Sequence, residues 1–242
     1  HSIYFNHAQG FVPPEVSALY GSLQVPNLVE SVFTNNEIGW RGAFLDNRLQ
    51  FDAALYRLDG EDEVVNYAIV TGLTEPRNAG KTRHQGIELG AGWRITPEWQ
   101  TQLALTYSEH EYREYRASPT LDYSGNDIPG APAWIGNTTV KWTPEAIAGF
   151  SAELEWQYLG AYEMDNANTV EYGGFNLFNL RLAQQFAAWR VWLKGANLAD
   201  KRYAETASSS YSGVGTYSPN TQNSYSPGNP RTVTAGVEYR FE

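Results

Sequence analysis

The chain has 242 residues, of which 42% are hydrophobic and only 18% charged, and its formal net charge at pH 7 is −10. An aromatic content of 14% excludes a disordered chain, and the negative charge excludes a nucleic-acid partner, because few cations remain to neutralise phosphates. The absence of cysteine excludes disulfides, thiolate metal sites and a cysteine nucleophile, and no run approaches the roughly 20 apolar residues of a membrane helix.

Long stretches alternate between apolar and polar residues, which is the pattern of a β-strand with one apolar face. The alternation predicts ten strands, at residues 2–9, 33–44, 48–59, 82–95, 99–112, 133–143, 150–162, 174–186, 189–198 and 231–241. Many of these are longer than the roughly 5–6 residues usual in soluble sheets, and a tilted strand needs about 9–11 residues to cross a bilayer.

Short and long connections alternate along the chain. The short ones are residues 45–48, 96–98, 143–149 and 187–188, and the long ones are residues 10–32, 60–81, 113–132, 163–173 and 199–230. Membrane barrels have short periplasmic turns and long external loops, so the chain is expected to end on the periplasmic side. The predicted fold class is all-β, a transmembrane antiparallel β-barrel whose strands form one meander with the first and last strands at its edges.

Bulky aromatic residues lie close to the short turns, as in the aromatic girdle of a membrane barrel. They are Phe44, Trp93, Trp99, Trp142, Phe150, Phe186, Trp189 and Phe241. Alternatively, such residues close the ends of a soluble sheet. The girdle interpretation predicts that Leu89, Leu105, Leu154, Trp156 and Val237 face lipid and that Glu88, Glu153, Glu155 and Glu238 face the lumen.

Other classes of protein fit the pattern less well. A soluble β-propeller would share the hairpin spacing, but its strands would be half as long. An enzyme would need a catalytic constellation, yet Glu109 and Glu111, the neighbours of His110, point to the opposite face of the strand. No Ser-His-Asp spacing or metal cluster stands out near His84 or the other histidines. We therefore predict no enzyme, no catalytic residue and no metal ligand.

Six short motifs, in order along the chain, resemble the C-terminal barrel of the TonB-dependent outer-membrane receptors. They are residues 10–14 (GFVPP), 27–31 (NLVES) with 37–39 (EIG), 78–80 (NAG) with 86–88 (GIE), 128–132 (IPGAP), 197–203 (NLADKRY) and 227–231 (PGNPR). Asx-type turns, prolines and glycines give each of them a local structural purpose. We expect them to be fold signatures, not ligand contacts.

The resemblance implies a 22-stranded barrel of which residues 1–242 supply about ten C-terminal strands, with the plug domain and the N-terminal strands absent. It also implies energised uptake of a scarce nutrient across the outer membrane of a Gram-negative bacterium, most often an iron–siderophore complex, without a covalently bound cofactor. The implied partners are outer-membrane lipid and the TonB energy-transducing complex, which would act through the plug. The alternative is a diffusion porin without a plug. The chain starts at His1 without a signal peptide, so we expect a processed chain or a piece of a longer one.

The connection at residues 199–230 is the strongest candidate for a ligand-binding loop. It combines Ser, Gly and Asn with Tyr211, Tyr217 and Tyr225, a composition that resembles an antibody paratope. The connection at residues 113–132 adds Tyr115 and Tyr123. Alternatively, these loops are solvated and only shield the barrel mouth.

Overall fold

The computed structural model describes residues 1–16, 18, 27–70, 73–210 and 223–241, and its architecture is all-β. The strands are β1 (Ser2–Val12), β2 (Ser31–Phe44), β3 (Leu49–Val70), β4 (Leu73–Arg94), β5 (Trp99–Ser118), β6 (Leu121–Asp122), β7 (Trp134–Trp142), β8 (Phe150–Leu159), β9 (Tyr162–Glu163), β10 (Glu171–Tyr172), β11 (Phe175–Phe186), β12 (Trp189–Ala196), β13 (Ala204–Ser209), β14 (Asn223–Pro227) and β15 (Thr232–Tyr239). In the described part of the chain, no helix is long and apolar enough to cross a membrane.

The main sheet is a single antiparallel meander. Its strand order is β1-β2-β3-β4-β5-β7-β8-β11-β12-β15, with β6 beside the end of β5, and β9–β10 and β13–β14 form two small separate hairpins. Among the described residues, β1 and β15 each have a hydrogen-bonded neighbour on one side only. The ten predicted strands and the predicted edges are confirmed.

The strand ends differ from the prediction most strongly in β3 and β4. These strands pair as far as Val70 and Leu73, so the prediction of a loop at residues 60–81 was wrong. The register shifts between Gly60 and Glu63 and again between Glu63 and Val64. Each extra residue in a bulge reverses the apolar–polar alternation, which hides the continuing strand from a search for period two.

The short connections all lie at one end of the sheet, here called the short-turn end. The first one closes through an Arg48 N–H to Leu45 C=O hydrogen bond of 3.1 Å, with Leu45, Asp46 and Asn47 all at positive φ. Predicted girdle residues meet at this end: the rings of Trp99 and Trp142 stack with centroids 5.7 Å apart. The long connections lie at the opposite end, here called the long-loop end.

The two faces of the sheet have the predicted compositions. Leu89 lies opposite Leu105, and Leu154 lies between Val140 and Leu180 on the apolar face. The register places Trp156 and Val237 on the apolar face and Glu88, Glu153, Glu155 and Glu238 on the polar face. No second layer covers the apolar face in the described residues, and Val237 is 62% exposed. Soluble proteins rarely expose so large an apolar surface, so this face is built for a non-aqueous environment.

Aromatic residues lie at both edges of the apolar band along β5. Trp99 lies at the short-turn edge of the band. At the opposite edge, the ring of Tyr107 packs on Trp134 with centroids 4.8 Å apart. The eight residue-to-residue steps from Trp99 to Tyr107 span about 27 Å along the strand, or roughly 20 Å along the normal of a tilted sheet. This height approaches the roughly 25 Å of a membrane barrel, and the part of β5 beyond Tyr107 lies outside the band.

Asn197 closes the base of the connection between β12 and β15. It is 3% exposed and adopts a positive φ of 50°. Its side chain accepts a hydrogen bond from Lys201 N–H (2.8 Å) and donates to the carbonyls of Lys201 (2.9 Å) and Asn229 (3.1 Å). Asp200 accepts a hydrogen bond from Arg231 N–H at 3.0 Å. The motif that begins at Asn197 therefore has a structural role, as predicted.

Candidate functional site

The connections at the long-loop end pack against one another. Tyr162, Met164 and Ala207 are buried together, with Leu159, Val170 and Tyr172 against them. The Tyr162 hydroxyl accepts a hydrogen bond from Ala207 N–H at 2.8 Å, and the Tyr172 hydroxyl is 2.9 Å from both the N–H and the carbonyl of Ala204. The β9–β10 hairpin therefore fixes β13, the first strand of the predicted ligand-binding connection.

A second set of contacts joins the β9–β10 hairpin to the connection between β5 and β7. Asp165 is 2% exposed and accepts hydrogen bonds from Ala167 N–H (2.8 Å) and the Thr169 hydroxyl (2.9 Å), which shapes the turn. Asn168 accepts a hydrogen bond from Asp127 N–H (2.7 Å) and donates to the Asp127 carbonyl (2.9 Å). The described parts of three long connections thus pack into one platform, formed by residues 113–132, 160–174 and 199–210.

The five predicted ligand-contacting tyrosines have different positions. Tyr225 in β14 is 53% exposed, and Tyr115 is half-buried near the end of β5. Tyr123 is only 5% exposed and packs edge-on against Tyr115, with ring centroids 5.3 Å apart. Tyr211 and Tyr217 lie outside the described residues. Among the described members of this set, Tyr225 is therefore exposed, whereas Tyr115 and Tyr123 pack against each other.

Tyr112 extends this aromatic cluster and was not predicted from the sequence. Its ring packs on Tyr115 with centroids 4.8 Å apart, and its hydroxyl donates a 3.0 Å hydrogen bond to Asn166 Oδ1. Burial, with a smaller contribution from the neighbouring Tyr115, raises the pKa of Tyr112 to about 12. The phenol stays neutral at physiological pH and keeps donating this hydrogen bond.

A groove at the long-loop end is also not apparent from the sequence. It has a volume of about 520 Å³, and Val12, Pro13, Pro14, Phe33, Val64 and Pro76 are among its lining residues. Asn78 supports the nearby chain, since it accepts a hydrogen bond from Val29 N–H (2.8 Å) and donates to the carbonyls of Val29 (3.0 Å) and Asp62 (2.5 Å). The groove draws on four separate chain segments, and only the fold brings these together.

The polar face carries paired acidic side chains below this platform. Glu155 accepts hydrogen bonds from the side-chain amides of Asn137 (3.0 Å), Asn179 (3.0 Å) and Gln157 (3.2 Å). Glu153 forms a 2.9 Å ion pair with Arg181. These contacts make a polar wall in which both carboxylates have side-chain partners.

The side chains around His110 are arranged as the strand alternation predicted. Glu109 accepts hydrogen bonds from Gln85 (2.9 Å) and Tyr107 (2.9 Å), and Glu111 accepts one from Arg113 at 2.9 Å. Neither glutamate contacts the His110 side chain on the other face. Within the described ranges, there is no group of three or more His, Cys, Asp or Glu residues arranged to hold a metal ion.

Glu163 is a partly buried carboxyl group in the platform. Its Oε2 atom is buried and has no hydrogen-bond partner among the described residues, and Glu171 lies directly opposite. Burial, followed by the negative charges of Glu171, Asp165 and Asp127, raises the pKa of Glu163. The stability that Glu163 contributes is present when it is protonated and is lost as pH rises through its folded-state pKa.

We expect Glu163→Gln to slow hydrogen exchange several-fold at pH 7 at the Met164 and Gly130 amides, which bond to the carbonyls of Val170 (2.7 Å) and Glu163 (2.9 Å). The difference should shrink as pH falls and the wild-type carboxyl becomes neutral. Glu171→Gln, which removes the exposed partner charge, should act in the same direction more weakly. Faster exchange in Glu163→Gln would contradict this interpretation.

Comparison with known proteins identifies one family throughout. The family described as "TonB dependent receptor-like, beta-barrel" matches residues 1–198. The chain is 28% identical over 236 residues to the probable TonB-dependent siderophore receptor PiuA of Acinetobacter baumannii, covering 87% of this chain and 29% of PiuA. It is 28% identical over 170 residues to the ferrioxamine receptor of Yersinia enterocolitica, covering 66% of this chain and 22% of that receptor.

Solved structures show the same fold. The crystal structure of PiuA superposes with a TM-score of 0.76 at 21% identity and covers 98% of this chain and 33% of PiuA. The ferric yersiniabactin uptake receptor FyuA of Yersinia pestis superposes with a TM-score of 0.75 at 20% identity, covering 99% of this chain and 35% of FyuA. The chain thus spans less than a third of the length of the curated relatives named above.

Proposed function

Because the chain belongs to the TonB-dependent receptor β-barrel family, we propose that it is the C-terminal part of the barrel wall of an outer-membrane receptor for ferric siderophores. The observation that carries the proposal is the single-layer sheet with one apolar face, one polar face and two edge strands. In the proposed barrel the apolar face would meet lipid and the polar face would line the lumen. Unpaired strand edges are untenable in lipid, so the wall needs further strands to close. The proposed ligand class, a ferric siderophore, is inferred from the names of the curated relatives.

The remaining strands and a plug domain would complete the receptor. The relatives are about three times as long as the match, which leaves room for both. In this arrangement the plug contacts the TonB complex, which supplies the energy for import, and the described wall supplies the lumen surface. The barrel itself performs no reaction and holds no covalent cofactor, and the receptor works in the outer membrane of a Gram-negative bacterium.

Ligand capture would take place on the platform at the long-loop end. Tyr225 is exposed there and Tyr115 is half-buried, and Tyr211 and Tyr217 belong to the same connection as Tyr225. The groove lined by Phe33 and Val64 offers an apolar surface on the same end of the barrel. Aromatic rings with small polar neighbours suit a bulky, partly apolar metal chelate.

Uptake of radioactive iron tests the proposal. Cells that produce the intact receptor should accumulate iron from a panel of ferric siderophores, and accumulation should stop when TonB is deleted. A diffusion porin would admit the same complexes without TonB. Uptake that is independent of TonB would reject the proposed function. The absence of both uptake and binding for hydroxamate, catecholate and mixed siderophores would also reject it.

A further inference from the structure

His84 and His110 form a pair on the polar face that the proposed transport function leaves unused. They lie directly opposite each other on β4 and β5, beyond the aromatic boundary at Tyr107. Their Nδ1 atoms are 2.7 Å apart, the ring planes are inclined by 59°, and both side chains are half-buried. The residues are 26 positions apart in the chain, so the sequence does not reveal the pair.

The backbone around the pair holds the two strands close together. Gly86 lies opposite Ser108, which is the next cross-strand pair on the same face, and a Cβ atom at Gly86 would collide with the backbone of Tyr107 and Ser108. The absent side chain permits a close approach of β4 and β5. The glycine therefore helps to set the short distance between the imidazoles.

Ser108 orients one of the two rings. Its Oγ lies 2.8 Å from His110 Nε2, and Ser108 is 4% exposed. If the His110 Nε2–H donates this hydrogen bond, the His110 Nδ1 carries the lone pair and accepts from the His84 Nδ1–H. A hydrogen bond to the distal ring nitrogen is the usual support of a metal-binding histidine, because it fixes the tautomer and the ring orientation.

We propose that His84 and His110 bind a divalent metal ion of square-planar preference, Cu²⁺ foremost, through their two Nδ1 atoms. Metal–imidazole bonds are about 2.0–2.1 Å long, so two cis ligands at a right angle are about 2.8–3.0 Å apart, whereas tetrahedral ligands are roughly 3.3–3.4 Å apart. The two Nδ1 atoms are 2.7 Å apart while one ring donates a hydrogen bond to the other, so they need to separate by only a few tenths of an ångström to reach the square-planar spacing. Copper also binds nitrogen ligands more tightly than the other divalent first-row metals.

Binding requires a small rearrangement with no net change in protons. The His84 proton moves from Nδ1 to Nε2 through water, and both Nδ1 lone pairs turn toward the lumen. The described residues provide no third ligand, so two cis positions remain for water or for donor atoms of a small chelator. The site therefore suits a copper ion that is free or only half chelated, and it does not depend on which ligand the receptor imports.

Titration with Cu²⁺ of the intact receptor in detergent tests the site. We expect one copper ion per receptor whose electron paramagnetic resonance spectrum shows coupling to two imidazole nitrogens. His84→Ala and His110→Ala should each weaken this binding by at least roughly tenfold, and the double variant should be little worse, because either loss destroys the chelate.

His7→Ala is the matched control, since His7 is exposed and bonds to Asn36 on the opposite face. It should leave the signal intact. His84→Gln, which keeps a polar side chain of similar size, guards against misfolding and should also lose the site. If copper binds to His84→Gln and His110→Ala as it does to the wild type, or if the wild type has no site with two imidazoles, the proposal is wrong.

Discussion

Replacing Leu154 with Arg is expected to lower the free energy of unfolding of the intact receptor in lipid vesicles by about 2–4 kcal/mol. Leu154 lies near the middle of β8 on the apolar face, between Val140 and Leu180. Its side chain is 45% exposed in the chain without lipid. A guanidinium at that depth loses its hydration unless it reaches the headgroups. The penalty comes from the lipid and not from a lost core contact.

Thr139→Arg is the matched control. Thr139 lies on β7 one residue from Val140, at nearly the same depth but on the polar face, where it is opposite Glu155. An arginine there meets water and a carboxylate, so we expect little loss of stability. Denaturant unfolding of both variants in the same vesicles compares the two faces. Equal losses would mean that the faces are assigned wrongly.

Changing Tyr211, Tyr217 and Tyr225 together to Ala is expected to weaken binding of the ferric siderophore by about 1 kcal/mol or more for each ring that contacts it. Three contacting rings would lower the affinity by more than roughly a hundredfold. Tyr225 is the described member of this set, and its exposure makes its ring available to a ligand. Binding to the intact receptor, measured by tryptophan fluorescence or by competition, gives the affinity.

The corresponding triple change to Phe separates ring contact from hydroxyl contact. It should retain most of the affinity if apolar area dominates, and uptake should follow binding in both variants. Tyr123→Ala is a separate case, because the 5% exposure of Tyr123 predicts a loosened loop and not a lost contact. Unchanged affinity and uptake in the triple Ala variant would place the binding site elsewhere in the receptor.

Sequence pattern predicted the wall well and the platform poorly, for physical reasons. Each residue of the wall must keep its place in the apolar–polar alternation, since a register shift of one position would turn Leu154 to water and Glu155 to lipid. The bulges near Gly60 and Glu63 interrupt this rule, and the hairpin beyond them was missed. In the platform, no such constraint exists, because its contacts are tertiary.

Tyr123 and Tyr225 illustrate the difficulty with the candidate site. Both are tyrosines in polar connections, and composition gives them the same expected role, yet one is buried against Tyr115 and the other is exposed. The approach of His84 to His110 depends on strand register, which the sequence predicts only once the hairpin is known. Local motifs were more informative, since Asn197 and Asn78 both form the structural hydrogen bonds that their residue types favour.

The closure around Asn197 has an evolutionary consequence. Because Asp200 and Arg231 are joined by a hydrogen bond at the base, the connection above them is a tethered loop whose ends do not move when its length changes. The entropy of closing a flexible loop grows only with the logarithm of its length, about 0.6 kcal/mol for each doubling. Insertions and substitutions between the two tether points therefore cost the wall little stability. Selection can therefore diversify the sequence of this connection while the barrel wall that carries it stays unchanged.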